Sequence, residues 1–212
     1  MKKIYSLAVI ALLLGLTGCL STVYPIFTEK DVVFDPKIIG KWRHESTSVG
    51  GFVEITQATN QDFNEMPSLR KLAGKTYMIR YTDSENRIEA AYFGFLVKLG
   101  DKFYMDYYPA ETPRAKEYDG FYKSHFTKMH TCYSIRFVKD NNTFVLKQFD
   151  DTFLQQLIEN KKIRIRHETR EDGSFIITAP TEELQQYILK YNDVPEAYYN
   201  DNTSTYARLL NN

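Results

Sequence analysis

Short stretches in which apolar and polar residues alternate recur along this chain, and they restrict its fold more than any other feature. In residues 75–82, Tyr77, Ile79 and Tyr81 share one face, while the other face is mainly polar. Alternation with a period of two is typical of a strand with one buried face. Residues 122–139 repeat the pattern and are predicted to be rich in strand. The residues that share a face there are Tyr133, Ile135 and Phe137.

Residues 87–108 predict a β-hairpin. Two strand-like runs, 87–99 and 102–108, flank Gly100-Asp101, a pair suited to a two-residue turn. Glycine inside a strand often marks an irregularity, so Gly94 predicts a bend or a bulge in the first run.

Turn residues separate further strands and two helices. The other strands are predicted at residues 38–44, 52–56, 143–149, 163–169 and 174–178, with a loop at 58–74. One helix is predicted from Asp150 or Asp151, as its cap, to about residue 160, and a second begins at Thr181 as its cap. The sequence therefore predicts a mainly β fold, with an antiparallel, barrel-like sheet of about eight or nine strands plus two short C-terminal helices.

The amino terminus has the composition of a secretory signal. Lys2 and Lys3 precede a mostly apolar run, residues 4–14, which is shorter than the roughly 20 residues that span a bilayer. A positive start, a short apolar run and small residues at its end are typical of a cleaved export signal. A surface helix of a folded domain would show a polar face, and residues 7–16 show none.

A four-residue motif, Leu16-Thr17-Gly18-Cys19, ends this run. It resembles the lipobox of bacterial lipoproteins, in which a peptidase cuts just before the cysteine. The resemblance implies a diacylglycerol on the Cys19 thiol and an acyl chain such as palmitate on its new amine. It also implies firm membrane anchoring, because two or three chains hold far better than one. Enteric lipoproteins kept at the inner membrane carry Asp after the cysteine, so Leu20 favours the outer membrane.

Four parts make up the predicted organisation of the chain. Residues 1–18 are a lipoprotein signal peptide, 19–30 the lipidated cysteine and a tether, 31–192 a single β-rich domain, and 193–212 a C-terminal tail. Removal of 18 of the 212 residues leaves 194, enough for one domain. With one of the two cysteines lipidated, Cys132 is alone, so the fold depends on its core without a disulfide.

The charge of the chain argues against nucleic acid as a partner. There are 27 basic and 27 acidic residues, and loss of Lys2 and Lys3 with the signal leaves a slightly acidic protein. Affinity for nucleic acid depends on positive charge that meets phosphates. The 16 tyrosines and 14 phenylalanines instead favour strands, and tyrosine suits surfaces that are part apolar and part wet.

Gly40-Lys41-Trp42 lies in the first predicted strand. It resembles the Gly-x-Trp signature of lipocalins and related calycin barrels. The resemblance implies that Trp42 closes one end of a barrel and packs under an arginine from a late strand. The candidates for that arginine are Arg136, Arg164 and Arg166. The chain departs from lipocalins in its two late helices and lacks their Thr-Asp-Tyr motif. Residues 24–42 also resemble the start of uncharacterised bacterial lipoproteins, which implies no activity.

His130 and Cys132 lie two apart in a predicted strand and so point to the same side. One hypothesis is a cysteine nucleophile with its histidine base. The alternative is a buried thiol beside a surface histidine, since no third residue and no motif frames the pair. His44, His125 and His167 are scattered, and no spacing suits zinc or calcium. The sequence thus predicts no metal, no cofactor beyond the covalent lipid, and no familiar hydrolase or nucleotide motif.

Lys161, Lys162, Arg164 and Arg166 form a basic run. One interpretation is contact with phosphate, lipid headgroups or an acidic glycan. The other is the solvated face of an edge strand, where charge discourages aggregation. Acidic residues follow closely in the sequence, which favours the second interpretation.

Residues 103–108 carry aromatic side chains on both faces of a predicted strand. A pocket or stacking surface for a hydrophobic or sugar ligand is one interpretation. A strand covered on both faces is the other. The candidate pocket residues are Phe103, Tyr104, Tyr107 and Tyr108.

Three functions remain open for such a chain. The first is a non-enzymatic, membrane-anchored binding module for a small apolar or amphipathic ligand, or for an envelope component. The second is a protein–protein interaction module of an envelope complex, with a solid core and an exposed aromatic patch. The third is an unrecognised hydrolase, which requires a cleft holding a histidine or carboxylate of shifted pKa.

Overall fold

The computed structural model describes residues 20–44, 51–64, 66–85, 87–111, 127–138, 142–171 and 173–209, with the backbone alone for residues 200–202. The predicted signal peptide, Cys19 and His125 lie outside the described residues.

Eleven strands form one sheet, and eight of them close into a barrel. The strands are β1 (Ser21–Thr22), β2 (Gly40–His44), β3 (Phe52–Gln57), β4 (Thr76–Thr82), β5 (Ile88–Leu99), β6 (Lys102–Pro109), β7 (His130–Phe137), β8 (Thr143–Phe149), β9 (His167–Thr169), β10 (Phe175–Ile177) and β11 (Tyr198–Arg208). Strands β2 to β8 each pair antiparallel with the next, and β11 pairs with both β8 and β2, which closes the ring. The predicted mainly β fold with an antiparallel barrel is confirmed.

The three remaining strands extend the sheet outside the barrel. β1 pairs with His130 and Thr131 at the start of β7, and these residues lie before the part of β7 that pairs with β8. β10 then pairs with β1, and β9 pairs with β10. The predicted last hairpin is therefore present, but it is shorter than residues 163–178, because residues 163–166 are not in a strand.

Two α-helices, as predicted, lie between β8 and β11. These are α1 (Asp151–Glu159) and α2 (Thr181–Tyr191). The chain also forms three 3-10 helices, Pro36–Ile38, Pro67–Lys75 and Pro195–Ala197. Asp150 caps α1, since its carboxylate accepts the N–H groups of Thr152 and Phe153 at 2.8 and 3.2 Å. Thr181 was predicted to cap α2, and this is wrong: its hydroxyl donates to the carbonyl of Pro25 at 2.8 Å.

The hairpin predicted at residues 87–108 is confirmed as β5 and β6. Gly100 occupies its turn with φ +63°, in the left-handed region that glycine enters freely. The predicted bulge at Gly94 is wrong, because the register with β4 and β6 runs through it unbroken. Instead a Cβ at Gly94 would lie 2.5 Å from Cδ1 of Ile79, so glycine is needed for close packing inside the barrel.

Two predicted boundaries are corrected by the packing. Residues 193–212 were predicted to be a tail, yet β11 within them is the strand that closes the barrel. Residues 19–30 were predicted to be a tether, yet Ile26 and Phe27 are buried. The N-terminal segment at Ile26 and Phe27 therefore belongs to the domain, as does the chain up to Leu209, whose N–H donates to the Lys41 carbonyl at 2.8 Å.

The fold has two hydrophobic cores, one inside the barrel and one outside. The inner core includes Trp42, Ile79, Leu96 and Phe144. The outer core lies between the barrel wall, both helices and the N-terminal segment, and its members include Ile26, Phe95, Cys132, Phe149, Leu184 and Tyr187. This arrangement explains why β5 and β6 have apolar residues on both faces, because one face of each strand contributes to the inner core and the other to the outer core.

The Tyr187 hydroxyl in the outer core is buried and has no hydrogen-bond partner among the described residues. A buried hydroxyl without a partner costs free energy, so Tyr187→Phe is expected to raise the free energy of unfolding by about 1 kcal/mol. Tyr198→Phe is the matched control and should lower it, because the Tyr198 hydroxyl donates to the Asn192 carbonyl at 3.1 Å. Urea unfolding of both variants followed by circular dichroism measures the difference, and destabilisation by Tyr187→Phe would contradict it.

Candidate functional site

A cavity of about 740 Å³ opens at the end of the barrel opposite Trp42. It is bordered by five tyrosines, each from a different strand, where the strands approach their connecting loops. These are Tyr81 of β4, Tyr92 of β5, Tyr107 of β6, Tyr133 of β7 and Tyr206 of β11.

The strand periodicity sets the inward direction of these tyrosines. Along β4, Tyr77 and Ile79 point into the barrel and fill its lower half, and Tyr81 continues the same face to the mouth. Residues Ile135 and Tyr133 of β7 follow the same rule. The barrel is therefore solid below and open above, with tyrosine at the boundary.

The tyrosine rings form a continuous aromatic wall. Tyr81, Tyr92, Tyr107 and Tyr133 meet in succession nearly at right angles, with centroid distances of 5.4 to 5.9 Å. This edge-to-face arrangement is favourable for aromatic pairs and holds each ring in place. Tyr206 completes the wall. Its ring stacks on that of Phe144, and Phe144 in turn meets Trp42 edge to face in the inner core.

Tyrosine hydroxyls supply the polar centre of the cavity. The Tyr81 hydroxyl makes hydrogen-bonding interactions with those of Tyr107 and Tyr206. Burial is the main cause that raises the pKa of all three hydroxyls above the ordinary value for tyrosine. They therefore stay uncharged at neutral pH and offer neutral donors and acceptors to a ligand.

Other polar groups lie around the mouth. Gln148 and Ser204 border the cavity from β8 and β11. Glu89 and Arg170 also border it, and both are exposed to solvent. The interior thus carries neutral polar groups on an aromatic surface, with charges only at the rim among the described lining residues.

Trp42 closes the other end of the barrel. Its side chain is fully buried, and its Nε1 donates to the Ile38 carbonyl at 2.9 Å. Arg208 of β11 lies over the indole at 4.2 Å and also donates to the Ile39 carbonyl at 2.9 Å. An arginine from a late strand does cover the tryptophan, but the three predicted candidates are wrong. Arg136 and Arg164 are exposed, and Arg166 pairs with Glu183 at 2.9 Å.

Only one of the four predicted pocket residues borders the tyrosine cavity, namely Tyr107. Phe103 lies partly exposed in a separate groove near the opposite end of β6. Tyr104 and Tyr108 face the outer core. The missed tyrosines come from other strands and become neighbours only when the barrel closes. The sequence predicts only that Tyr81 shares a face with Ile79, and Tyr133 with Ile135.

His130 and Cys132 point to the same side of β7, into the outer core, and neither borders a described cavity. Burial raises the pKa of the Cys132 thiol, with a smaller contribution from Asp106, so the thiol stays protonated and is a poor nucleophile. The carboxyl group of Asp106 instead holds His130, with 2.6 Å from Oδ1 to Nδ1. Its Oδ2 accepts the N–H of Ile26 at 2.9 Å, which makes this pair a fastening for the N-terminal segment.

Comparison with known proteins finds no match to a family model, a curated protein or a solved structure. Within the described residues, no three His, Cys, Asp or Glu side chains are grouped so as to hold a metal ion.

Proposed function

We propose that this chain is a membrane-anchored lipoprotein whose barrel binds a small amphipathic ligand in the tyrosine-lined cavity. The observation that carries the proposal is the cavity itself, because about 740 Å³ lies in the usual range for small-molecule sites. A barrel with a solid interior would leave no room for such a ligand.

The anchor is supported by the motif Leu16-Thr17-Gly18-Cys19 after a basic and apolar start. Among the described helices, none is long and apolar enough to cross a membrane. On the strength of the motif, the lipid on Cys19 is the proposed attachment, to the outer membrane in view of Leu20.

The cavity surface favours one class of ligand. Aromatic faces and edges pack against rings or acyl chains. The three neutral hydroxyls at Tyr81, Tyr107 and Tyr206 would pair with an uncharged hydroxyl, carbonyl or amide of the ligand. A ligand with a buried ionic group is disfavoured, because no charged side chain borders the interior among the described residues to compensate its desolvation.

One pair of mass spectra tests both parts of this proposal. The protein is extracted from the envelope in mild detergent, incubated with envelope lipid extract, and recorded under native and denaturing conditions. Covalent lipid mass on the N-terminal peptide should persist after denaturation. Additional mass of a bound ligand should appear only in the native spectrum.

A cavity-blocking variant makes the second part specific. Ala90 borders the cavity, so Ala90→Trp should fill the mouth and abolish the ligand mass. Lys98→Trp is the control, since it adds the same side chain at an exposed position of the same strand. A wild-type protein without ligand mass, or a ligand that survives Ala90→Trp, would overturn the proposed binding site while leaving the anchor intact.

A protein partner is the second candidate function. Phe103 and Leu189 are exposed to 38% and 47%, and both lie near the turn between β5 and β6. Exposed apolar residues that cluster in this way can mark a binding surface. A ligand-free native spectrum would favour this candidate.

A further inference from the structure

The basic segment at residues 161–166 is not the solvated face of an edge strand. These residues follow α1 as an irregular segment, and β9 begins only at His167. Lys161, Lys162 and Arg164 are exposed, and none has an ion-pair partner among the described residues. The acidic residues Glu168 and Glu171 come after this segment, on β9 and its turn, and Glu159 before it accepts a hydrogen bond from Gln155 at 2.9 Å.

This segment forms an amphipathic surface. A depression of about 580 Å³ is bordered by Lys161, Arg164 and the paired Arg166 and Glu183, together with isoleucine side chains. The isoleucines are Ile158, Ile163 and Ile165. Such a mixture of cations over apolar groups suits the headgroup region of a membrane, where anionic phosphates lie next to acyl chains.

Lys161 occupies a conformation that glycine adopts more readily. Its φ is +55°, and it is the only non-glycine residue with positive φ in the described part of the chain. The N–H groups of Lys161 and Lys162 donate to Ile158 and Leu157 in a helix-ending pattern in which glycine is preferred. Glycine would adopt this conformation with less strain, so Lys161 places its side chain at the edge of the depression at some cost in stability.

The basic segment lies beside the place where the N-terminal chain enters the fold. Thr22 of β1 pairs with Ile177 of β10, which pairs with His167 of β9. Two strand spacings therefore separate Thr22 from His167, a distance of about 10 Å. The next residues, Val23 and Tyr24, are exposed to 38% and 50%. Tyrosine is favoured at membrane interfaces, because its ring is apolar and its hydroxyl is wet.

We infer that Lys161, Lys162 and Arg164, together with Val23 and Tyr24, contact the anionic headgroups of the membrane that holds the lipid on Cys19. This inference rests on the proposed anchor. Acyl chains hold the protein at the bilayer, and the basic surface fixes which face of the domain lies against it. Ser21 and Arg170 border the tyrosine cavity, so this orientation brings the barrel mouth close to the bilayer and shortens the path of an amphipathic ligand.

Hydrogen exchange of the full-length acylated protein tests the orientation. The protein is reconstituted in vesicles of phosphatidylcholine alone and in vesicles that also contain phosphatidylglycerol. Peptides covering residues 158–167 should exchange at least about threefold more slowly with the anionic lipid than without it. The difference should shrink at about 0.5 M salt, because screening weakens exposed charge interactions.

Two variants separate charge from folding. Combined Lys161→Gln, Lys162→Gln and Arg164→Gln should abolish the lipid-dependent difference, whereas Arg43→Gln, Arg136→Gln and Lys147→Gln, which remove three exposed cations from the barrel wall, should preserve it. Lys161→Gly should raise the urea midpoint by relieving the positive φ, yet reduce the protection. A purely structural role for Lys161 would instead make both quantities rise.

The outcomes distinguish this inference from the anchor. Flotation with phosphatidylcholine vesicles depends on the lipid alone, so failure to float would overturn the anchor. A protein that floats with both vesicle types but exchanges equally in both would overturn the basic contact surface only.

Discussion

Trp42→Ala is expected to lower the free energy of unfolding by about 3–5 kcal/mol, because it removes a fully buried large aromatic side chain. The indole meets Phe144 edge to face at 4.6 Å, and Phe144 stacks on Tyr206 at 4.8 Å. Alanine would leave a cavity beneath this stack and remove the hydrogen bond to Ile38. Because Tyr206 also borders the tyrosine cavity, loss of Trp42 should also weaken binding of the proposed ligand.

Urea unfolding followed by far-ultraviolet circular dichroism measures this effect, since Trp42 is the only tryptophan and its fluorescence is lost in the variant. Trp42→Phe is the matched control and should be less destabilising, because it retains an aromatic ring against Phe144. A loss below about 1 kcal/mol for Trp42→Ala would mean that the closed end of the barrel repacks without it.

Arg208 should behave as part of the same structure. Its guanidinium covers the indole and donates to the carbonyls of Ile39 and Lys37 at 2.9 and 2.5 Å. A lysine retains the charge but not this planar group of donors. The contact of Arg208 with Trp42 therefore depends on the shape of the guanidinium group as well as on its charge.

Local periodicity was enough to predict most of the barrel wall. The alternation of Tyr77, Ile79 and Tyr81 predicts that these side chains share one face of β4; Tyr77 and Ile79 belong to the inner core, and the partly buried Tyr81 packs against it. Such patterns report which residues of a strand share a face, and a closed antiparallel barrel is one of few arrangements that leave no exposed edge. The residues that share one face of a strand could therefore be identified without knowing which strands pair with it.

The closing strand escaped prediction because its own sequence is mostly polar. β11 contains Asn, Asp, Thr and Ser, and its register with β8 is irregular between Tyr198 and Thr203. It is a strand because β8 and β2 each offer it an unpaired edge, which is a tertiary effect that overrides local propensity. Because β11 was not predicted, two of its residues were missed together. These are Arg208, which covers Trp42, and Tyr206, which borders the cavity.

The tether prediction failed for a related reason. The apolar character of Ile26 and Phe27 was visible, but the surface that buries them exists only once the barrel and α2 are assembled. Gln185 of α2 donates to the Ile26 carbonyl and to Asp31, both at 2.9 Å. These contacts join residues 159 and 154 positions apart, beyond the range of any periodicity argument.

Asp106 shows how one charge in an aromatic strand can have a structural purpose that sequence does not reveal. It is 0% exposed, and its two oxygens bind His130 of β7 and the N–H of Ile26. Asp106→Ala is expected to lower the free energy of unfolding by about 3–5 kcal/mol, because it leaves both partners buried without a hydrogen bond. Urea unfolding measures this loss.

Asp106→Asn separates the contribution of the charge from that of the hydrogen bonds in this prediction. The amide retains an oxygen for the Ile26 N–H and a group that can reach His130, so the loss should be about 1–2 kcal/mol. Asp101→Ala, at the exposed turn between β5 and β6, is the control and should change stability by less than about 0.5 kcal/mol. Equal losses for Asp106→Ala and Asp106→Asn would show that the fastening depends on charge rather than on hydrogen-bond number.

Release of the N-terminal segment gives Asp106→Ala a second, local signature. Lys30 is exposed and lies close after the fastened residue, so trypsin should cut there faster once Ile26 loses its acceptor. Cleavage that tracks global unfolding alone would argue against a local fastening. Faster cleavage under native conditions would instead show that Asp106 couples the segment leading from Cys19 to the barrel wall. In that case the buried carboxyl group of Asp106 helps to hold the segment around Ile26 against the barrel wall.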